Sequence, residues 1–219
     1  MSLRKQQGFT LIEIAIVLVI IGLLLGGILQ GQSLIDSARV RNLISQEDGV
    51  KAAFYGFQDR YRALPGDFTQ ATTQIAGASQ DGDGNGQITG TEAIAAWDHL
   101  SHAGFITGTY TYNATQSNTT TPTNPWGAYY ELIYNNNYAD SAGTPSSRHN
   151  LKTGNKVPVN VIAELDRKVD DGNALRGTIR FSAYPGSGAP PTAANCYDTT
   201  SGVWNVSGGD ANCGAAILF

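Results

Sequence analysis

The residues best spaced for chemistry lie in the twelve-residue segment from Asp81 to Glu92. Oxygen-bearing side chains stand at alternate positions, and glycines lie between the first of them, where a chain can turn tightly. Carboxylate, amide and hydroxyl oxygens are the ligands that hard cations such as calcium prefer. The segment therefore predicts a cation site built from one short stretch of chain.

This segment resembles the calcium loop of an EF-hand at all twelve positions. The resemblance implies six ligand residues: Asp81, Asp83, Asn85, Gln87, Thr89 and Glu92. Gln87 would contribute its backbone carbonyl, Thr89 would act through water, and Glu92 would bind through both carboxylate oxygens. A helix is predicted directly after the loop, but no second loop of this kind follows, so we expect one structural calcium site. An acidic, glycine-rich turn without metal is the alternative.

The N-terminus carries a second unusual carboxylate. From Leu11 to Leu29 every residue is apolar or glycine except Glu13. Roughly 20 apolar residues are enough for a helix to span a bilayer, and an acid inside such a helix costs about 2.5–3.5 kcal/mol. Arg4 and Lys5 precede the run and would hold the N-terminus in the cytoplasm. The pattern predicts a membrane segment whose acid has a function.

Gly8, Phe9 and Glu13, in register with the apolar run, resemble the N-terminus of a type IV prepilin, the precursor of pilins and of type II secretion pseudopilins. The resemblance implies cleavage after Gly8 by prepilin peptidase and N-methylation of Phe9. It also implies that Glu13 pairs with the terminal amine of a neighbouring subunit. Further implied partners are copies of this chain or other pilins, and an inner-membrane assembly platform. The chain would cross the bacterial inner membrane once and then enter a periplasmic or cell-surface filament.

Other membrane segments explain less of this pattern. A secretory signal would need a small-residue cleavage site after Leu29, and no clean one follows. A plain signal anchor would explain neither Glu13 nor the Gly8–Phe9 junction. Gln30 stands where many major pilins and pseudopilins carry proline, which weakens the interpretation as a major subunit.

The apolar pattern continues at helical spacing beyond the membrane segment, and it predicts one helix from about Thr10 to Arg62, ended by Pro65. Strands are predicted at three β-prone segments: 105–112, 128–134 and 177–183. The expected fold is α+β, with a long N-terminal helix packed on a C-terminal globular domain that contains an antiparallel sheet. The helix would be a transmembrane stem that continues into an amphipathic half. The expected organisation has four parts: a leader at 1–8, a filament-core helix at 9–33, its amphipathic continuation at 34–64 and an extracytoplasmic domain at 65–219.

Cys196 and Cys213 are the two cysteines of the chain. In an oxidising compartment we expect them to form a disulfide, which would stabilise the domain by about 3 kcal/mol. Type IV pilins often carry such a C-terminal loop, whereas typical major pseudopilins lack it, so the resemblance favours a pilin. Two further groups are predicted to be solvated surface: His99 with His102, and Asp166 with its neighbours Asp170 and Asp171.

Composition excludes some functions. The net charge is −4 and no basic patch is present, which argues against nucleic acid as a partner. No nucleophile elbow, phosphate-binding loop or zinc-protease motif is present, so we predict no enzymatic activity. Three hypotheses remain. The chain is a structural, possibly minor, subunit of a type IV pilus or related filament; a type II secretion pseudopilin; or a membrane-anchored, calcium-binding adhesion or binding protein that does not polymerise.

Overall fold

The computed structural model describes residues 11–219, except for the side chains of Leu29 and Ser33. The described residues fall into two compact units, which divide between Arg39 and Val40. Helix α1, Leu11–Tyr61, contributes residues to both units. The predicted leader, with Gly8, and the new N-terminal residue Phe9 lie outside the described residues.

The first unit consists of the apolar part of α1. Among the described residues, α1 is the one helix long and apolar enough to cross a membrane, judged by length and composition alone. Its apolar side chains are exposed on all sides, for example Leu18, Leu23 and Ile28. A helix that is apolar all round requires lipid or other helices as its surroundings.

The second unit contains the C-terminal part of α1, whose residues Val40, Leu43, Phe54 and Phe57 are buried in its core. The remaining elements follow in chain order: α2 (Ala71–Gln74), α3 (Glu92–His102), β1 (Glu131–Asn135), β2 (Arg148–Lys152), α4 (Val159–Val169), β3 (Ile179–Phe181), α5 (Ala193–Cys196), a 3-10 turn (Val206–Gly208) and β4 (Ala215–Leu218).

The four strands form one antiparallel sheet in the order β1-β2-β4-β3. Leu132, Leu151, Ile217 and Ile179 are paired across it, and all four are fully buried. Because side chains alternate along a strand, the neighbouring positions lie on the opposite, outer face of the sheet. The α+β prediction of a long N-terminal helix and an antiparallel sheet is therefore confirmed.

The individual strands were predicted less well. The predicted strand at 105–112 is wrong, because this segment forms turns and irregular structure. Strands β2 and β4 were not predicted, because β2 is polar and β4 directly follows a segment rich in glycine and asparagine. A polar sequence such as that of Arg148–Lys152 becomes a strand because apolar neighbours pair with it on both sides.

Candidate metal site

Three carboxylates converge in the second unit: Asp67, Asp83 and Glu92. Each offers an oxygen atom, and these oxygens lie within 4.8 Å of one another. Asp67 is 4% and Glu92 9% exposed, while Asp83 is exposed. Among residues 11–219 none of the three forms an ion pair with a Lys, Arg or His. Three like charges this close repel one another, and a divalent cation would relieve that repulsion.

Asp67 was not predicted as a ligand, because the turn that precedes it was interpreted only as the end of the helix. Its Oδ1 accepts a hydrogen bond from the backbone N–H of Asn85 (3.0 Å), and its Oδ2 accepts one from Gly86 (2.9 Å). Burial raises the pKa of Asp67, the backbone N–H groups oppose this, and the charge of Glu92 adds to the rise. An acid directly after a proline–glycine turn was the only available signal in the sequence.

Close backbone packing holds Asp67 against the loop. Gly66 has a φ of +88°, and a Cβ atom there would lie 2.4 Å from the carbonyl oxygen of Glu92. A Cβ on Gly82 would lie 2.3 Å from backbone atoms of Asp67. The N–H of Gly84 also donates to the Asp67 carbonyl (3.0 Å). Glycine at these positions is therefore what allows the turn, the loop and α3 to meet.

Asp81, the first position of the predicted loop, is not part of this carboxylate group. Its Oδ1 accepts a hydrogen bond from the backbone N–H of Thr72 (2.8 Å), and its Oδ2 accepts one from the Thr72 hydroxyl (3.0 Å). These bonds tie the start of the loop to the short helix α2. The role of Asp81 as a metal ligand stays a prediction.

The other predicted ligands are linked by hydrogen bonds within the loop. Asp83 Oδ1 accepts from the N–H of Asn85 (3.0 Å), and Asn85 Oδ1 accepts from that of Gln87 (2.8 Å). Glu92 Oε1 accepts from the N–H of Asp83 (3.0 Å), and its Oε2 accepts from that of Thr89 (2.9 Å). Carboxylate oxygens have two acceptor sites each, so these bonds leave capacity for a cation.

The loop is attached to the sheet through Ile88, which is fully buried. The Ile88 carbonyl accepts a hydrogen bond from the N–H of Tyr134 on β1 (2.7 Å). The Ile88 N–H donates to Nε2 of His149 on β2 (3.4 Å), whose pKa burial lowers. His149 itself lies in strand β2, so this bond joins the loop to a second strand of the sheet. The loop forms its backbone hydrogen bond with strand β1, whereas a paired EF-hand loop would form one with a second loop.

His99 is fully buried, so its predicted place on a solvated helix face is wrong. The N–H of Gly66 donates to His99 Nδ1 (2.9 Å), so Nε2 carries the hydrogen and donates to the Gln80 carbonyl (2.7 Å). Burial lowers the pKa of His99, which favours this neutral form. The imidazole joins the turn before Asp67 to the residue before Asp81. Both ring nitrogens are engaged in these bonds, so the imidazole supports the structure around the site.

A second carboxylate group consists of Asp166, Asp170 and Asp171. The prediction that Asp166 is solvated is wrong, because it is fully buried and its Oδ2 accepts a hydrogen bond from Trp204 Nε1 (2.7 Å). Burial raises the pKa of Asp166 to about 6. Asp170 accepts from the N–H of Ile179 (2.8 Å). These two carboxylates already bind neighbouring donors, which indicates a structural role at the start of β3.

The predicted disulfide between Cys196 and Cys213 is confirmed, and both residues are fully buried. Val157 pairs with Cys213 as an isolated antiparallel bridge. The N–H of Asn205 donates to the Cys196 carbonyl (2.9 Å). The disulfide therefore holds the C-terminal loop beside the point where strand β4 begins.

Glu13 lies in the first turn of α1. Residues 3–29 match a family model described as the prokaryotic N-terminal methylation motif, and this range includes Gly8 and Phe9, the predicted processing residues. Comparisons with curated proteins and with solved structures found no match for the chain.

Proposed function

We propose that this chain, whose prepilin-type N-terminus is that of the type IV pilin and pseudopilin family, is a structural subunit of a type IV pilus or a related filament. One observation carries the proposal: the matched motif at residues 3–29 continues into a single 51-residue helix that ends in the core of the second unit. Proteins with this motif are structural subunits and not enzymes, which agrees with the proposed role in a filament.

The exposed apolar surface of α1 supports assembly. Before assembly, lipid would surround it, and in a filament the same surface would pack against α1 helices of neighbouring subunits. Glu13 would then meet the N-terminal amine of Phe9 from a neighbour. An acid among apolar helices is stabilised by such a cation, so the pair would select one register between subunits.

Two alternatives follow from the same N-terminus. A pseudopilin of type II secretion would share the processing and the helix but form a short periplasmic fibre. The Cys196–Cys213 disulfide favours the pilus, and Gln30 favours a minor subunit over a major one. A membrane-anchored binding protein that does not polymerise would need neither Phe9 processing nor Glu13.

The test of assembly compares Glu13→Ala with Asp36→Ala, a control that removes a carboxylate of α1 outside the apolar run. We expect wild-type chains in the sheared surface fraction to begin at N-methylated Phe9 by mass spectrometry. Glu13→Ala should remain in the inner membrane, while Asp36→Ala should assemble. Wild-type-like assembly of Glu13→Ala would refute the filament proposal. An unprocessed chain beginning at Met1 or Ser2 would leave a membrane anchor, and fibres confined to the periplasm would favour the pseudopilin.

We also propose that the carboxylates Asp67, Asp83 and Glu92 bind one structural calcium ion. Asn85 would add its side-chain oxygen, Gln87 its backbone carbonyl, and Thr89 would act through water. All are hard oxygen donors, and the group holds three formal negative charges without a basic partner among the described residues. Because Ile88 joins the loop to β1, the ion would stiffen the sheet edge as well as the loop.

Thermal unfolding during a calcium titration tests this site. A ligand present at 100 times its Kd stabilises the native state by about 2.7 kcal/mol, and extracellular calcium modules have Kd values of about 10⁻⁴–10⁻³ M. Asp83→Asn and Glu92→Gln should abolish the calcium-dependent rise in Tm, whereas the exposed control Asp59→Asn should retain it. An unchanged rise in the first two variants would refute the site. Asp81→Asn and Asp67→Asn, compared directly, decide which of these residues binds the ion.

A further inference from the structure

A cavity of about 590 Å³ in the second unit lies beside the outer face of the sheet. Residues from β1, β2, the segment after β3 and the start of the disulfide loop line it. Its polar and aromatic lining includes Glu131, Asn137, Tyr138, Lys152, Tyr184 and Tyr197. The metal site and the apolar part of α1 contribute nothing to this cavity, so the inference is independent of filament assembly and of calcium.

A buried ion pair lines the cavity. Lys152 is only 2% exposed, and its Nζ lies 3.1 Å from Oε2 of Glu131, whose side chain is 17% exposed. The ammonium also lies 5.6 Å from the centre of the Tyr184 ring. An ammonium has three donors, and among the described residues Glu131 supplies its one hydrogen-bonding acceptor. Burying a lysine is costly, so its place beside a cavity calls for an explanation.

The aromatic side chains around the ion pair are held in place. The Tyr184 hydroxyl donates to Gln116 Oε1 (2.9 Å), and the Tyr138 hydroxyl donates to the Ser146 carbonyl. The Tyr197 ring packs against Phe181 at 5.0 Å and directly follows the disulfide-bonded Cys196. The cavity is therefore preformed, which lowers the entropic cost of binding a ligand.

We propose that this cavity binds a neutral saccharide unit of a glycan. The Lys152–Glu131 pair has no net charge and presents a donor beside an acceptor, which suits hydroxyl groups. The exposed amide of Asn137 adds another donor and acceptor. Tyr184 is half-buried and its ring would offer an apolar face to the C–H groups of a sugar ring, whereas Tyr138 and Tyr197 are buried and shape the wall of the cavity. An anionic ligand would face Glu131 and a cationic one Lys152, so the charge balance selects against both.

The test uses the full-length chain in detergent on an array of neutral, acidic and basic glycans. Three variants are compared: Lys152→Met, Asn137→Ala and, as a matched control, Asn136→Ala. Asn136 is the exposed neighbour of Asn137 and does not line the cavity. We expect binding to neutral glycans, with about a tenfold loss of affinity for Lys152→Met and for Asn137→Ala, the effect of one or two lost hydrogen bonds.

The Asn136→Ala control should bind like wild type. Asn137→Ala keeps the test valid if Lys152→Met fails to fold, because Asn137 is exposed and its side chain is not needed in the core. Absence of binding to every glycan class overturns the proposal. Binding only to acidic glycans overturns it as well, and so does binding to neutral glycans that neither variant weakens.

Discussion

Glu47 allows a direct measurement of the cost of burying one carboxyl group. It lies on α1 within the second unit, is 3% exposed, and its Oε1 has no hydrogen-bond partner among the described residues. Burial raises its pKa from 4.5 to about 8, although the charge of Lys51 opposes the shift. The side chain is therefore expected to be protonated in the folded protein at neutral pH.

The pH dependence follows from proton linkage. Below pH 4.5 Glu47 holds its proton in both the folded and the unfolded chain, so its titration costs nothing. Between pH 4.5 and 8 the unfolded chain releases the proton while the folded chain keeps it, so the free energy of unfolding falls by about 1.4 kcal/mol per pH unit. The accumulated loss is about 3 kcal/mol at pH 7 and about 4 kcal/mol at pH 8, where the folded group itself begins to lose its proton.

Glu47→Gln keeps the shape of the neutral acid and removes its titration. We expect the variant to match wild type near pH 4.5 and to become more stable by several kcal/mol at pH 8. Urea unfolding of the full-length protein in detergent, with a chelator present, measures the difference at each pH. Asp59→Asn, an exposed carboxylate of the same helix, should show no such trend. The reasoning would be refuted if the difference in free energy of unfolding between wild type and Glu47→Gln stayed the same from pH 4.5 to pH 8.

Three further predictions concern single contacts of the second unit. Trp204→Phe removes the hydrogen-bond donor to Asp166 and should destabilise the fold by about 1–3 kcal/mol at pH 8, where the carboxylate is charged. The loss should be smaller at pH 5, because the pKa of Asp166 is about 6 and the group is then mostly protonated; equal losses at both pH values would contradict this. Gly82→Ala places a Cβ against the backbone of Asp67 and should destabilise the fold by about 1–3 kcal/mol, whereas Gly49→Ala, at an exposed helix position with open space, should stabilise it by up to about 1 kcal/mol. Thermal melts compare the two variants, and an unchanged Tm for Gly82→Ala would show that the loop can shift. Replacing Cys196 and Cys213 together by Ala should lower the free energy of unfolding by about 3 kcal/mol, and reducing the wild-type disulfide should lower it by the same amount. An unchanged free energy of unfolding after reduction would mean that the disulfide adds little stability.

Features that depend on neighbouring residues were predictable from the sequence. The apolar run and the helical spacing beyond it predicted α1 and placed its C-terminal end to within one residue, because helix formation depends on contacts three and four residues apart. The N-terminal motif lies within residues 3–29 and needs no folded structure to be identified. With only two cysteines in the chain, the disulfide had one possible pairing.

Features that depend on distant residues were decided by the tertiary structure. Asp67 joins Asp83 and Glu92 because glycines at 66 and 82 let separate segments approach, while Asp81 turns to Thr72. His99 is buried because Gly66 and Gln80 offer it a donor and an acceptor, although its position on the helix predicted a solvated face.

The polar strand β2 follows the same rule, since neighbouring strands supply its hydrogen bonds and bury Lys152 beside Glu131. The types and spacing of residues in the sequence determined the long apolar helix, the N-terminal methylation motif and the supply of oxygen-bearing side chains. Which of these ligands meet, and which polar side chains become buried, depends on packing between segments far apart in the chain. That packing has no periodic signature in the sequence, so only the folded structure decided it.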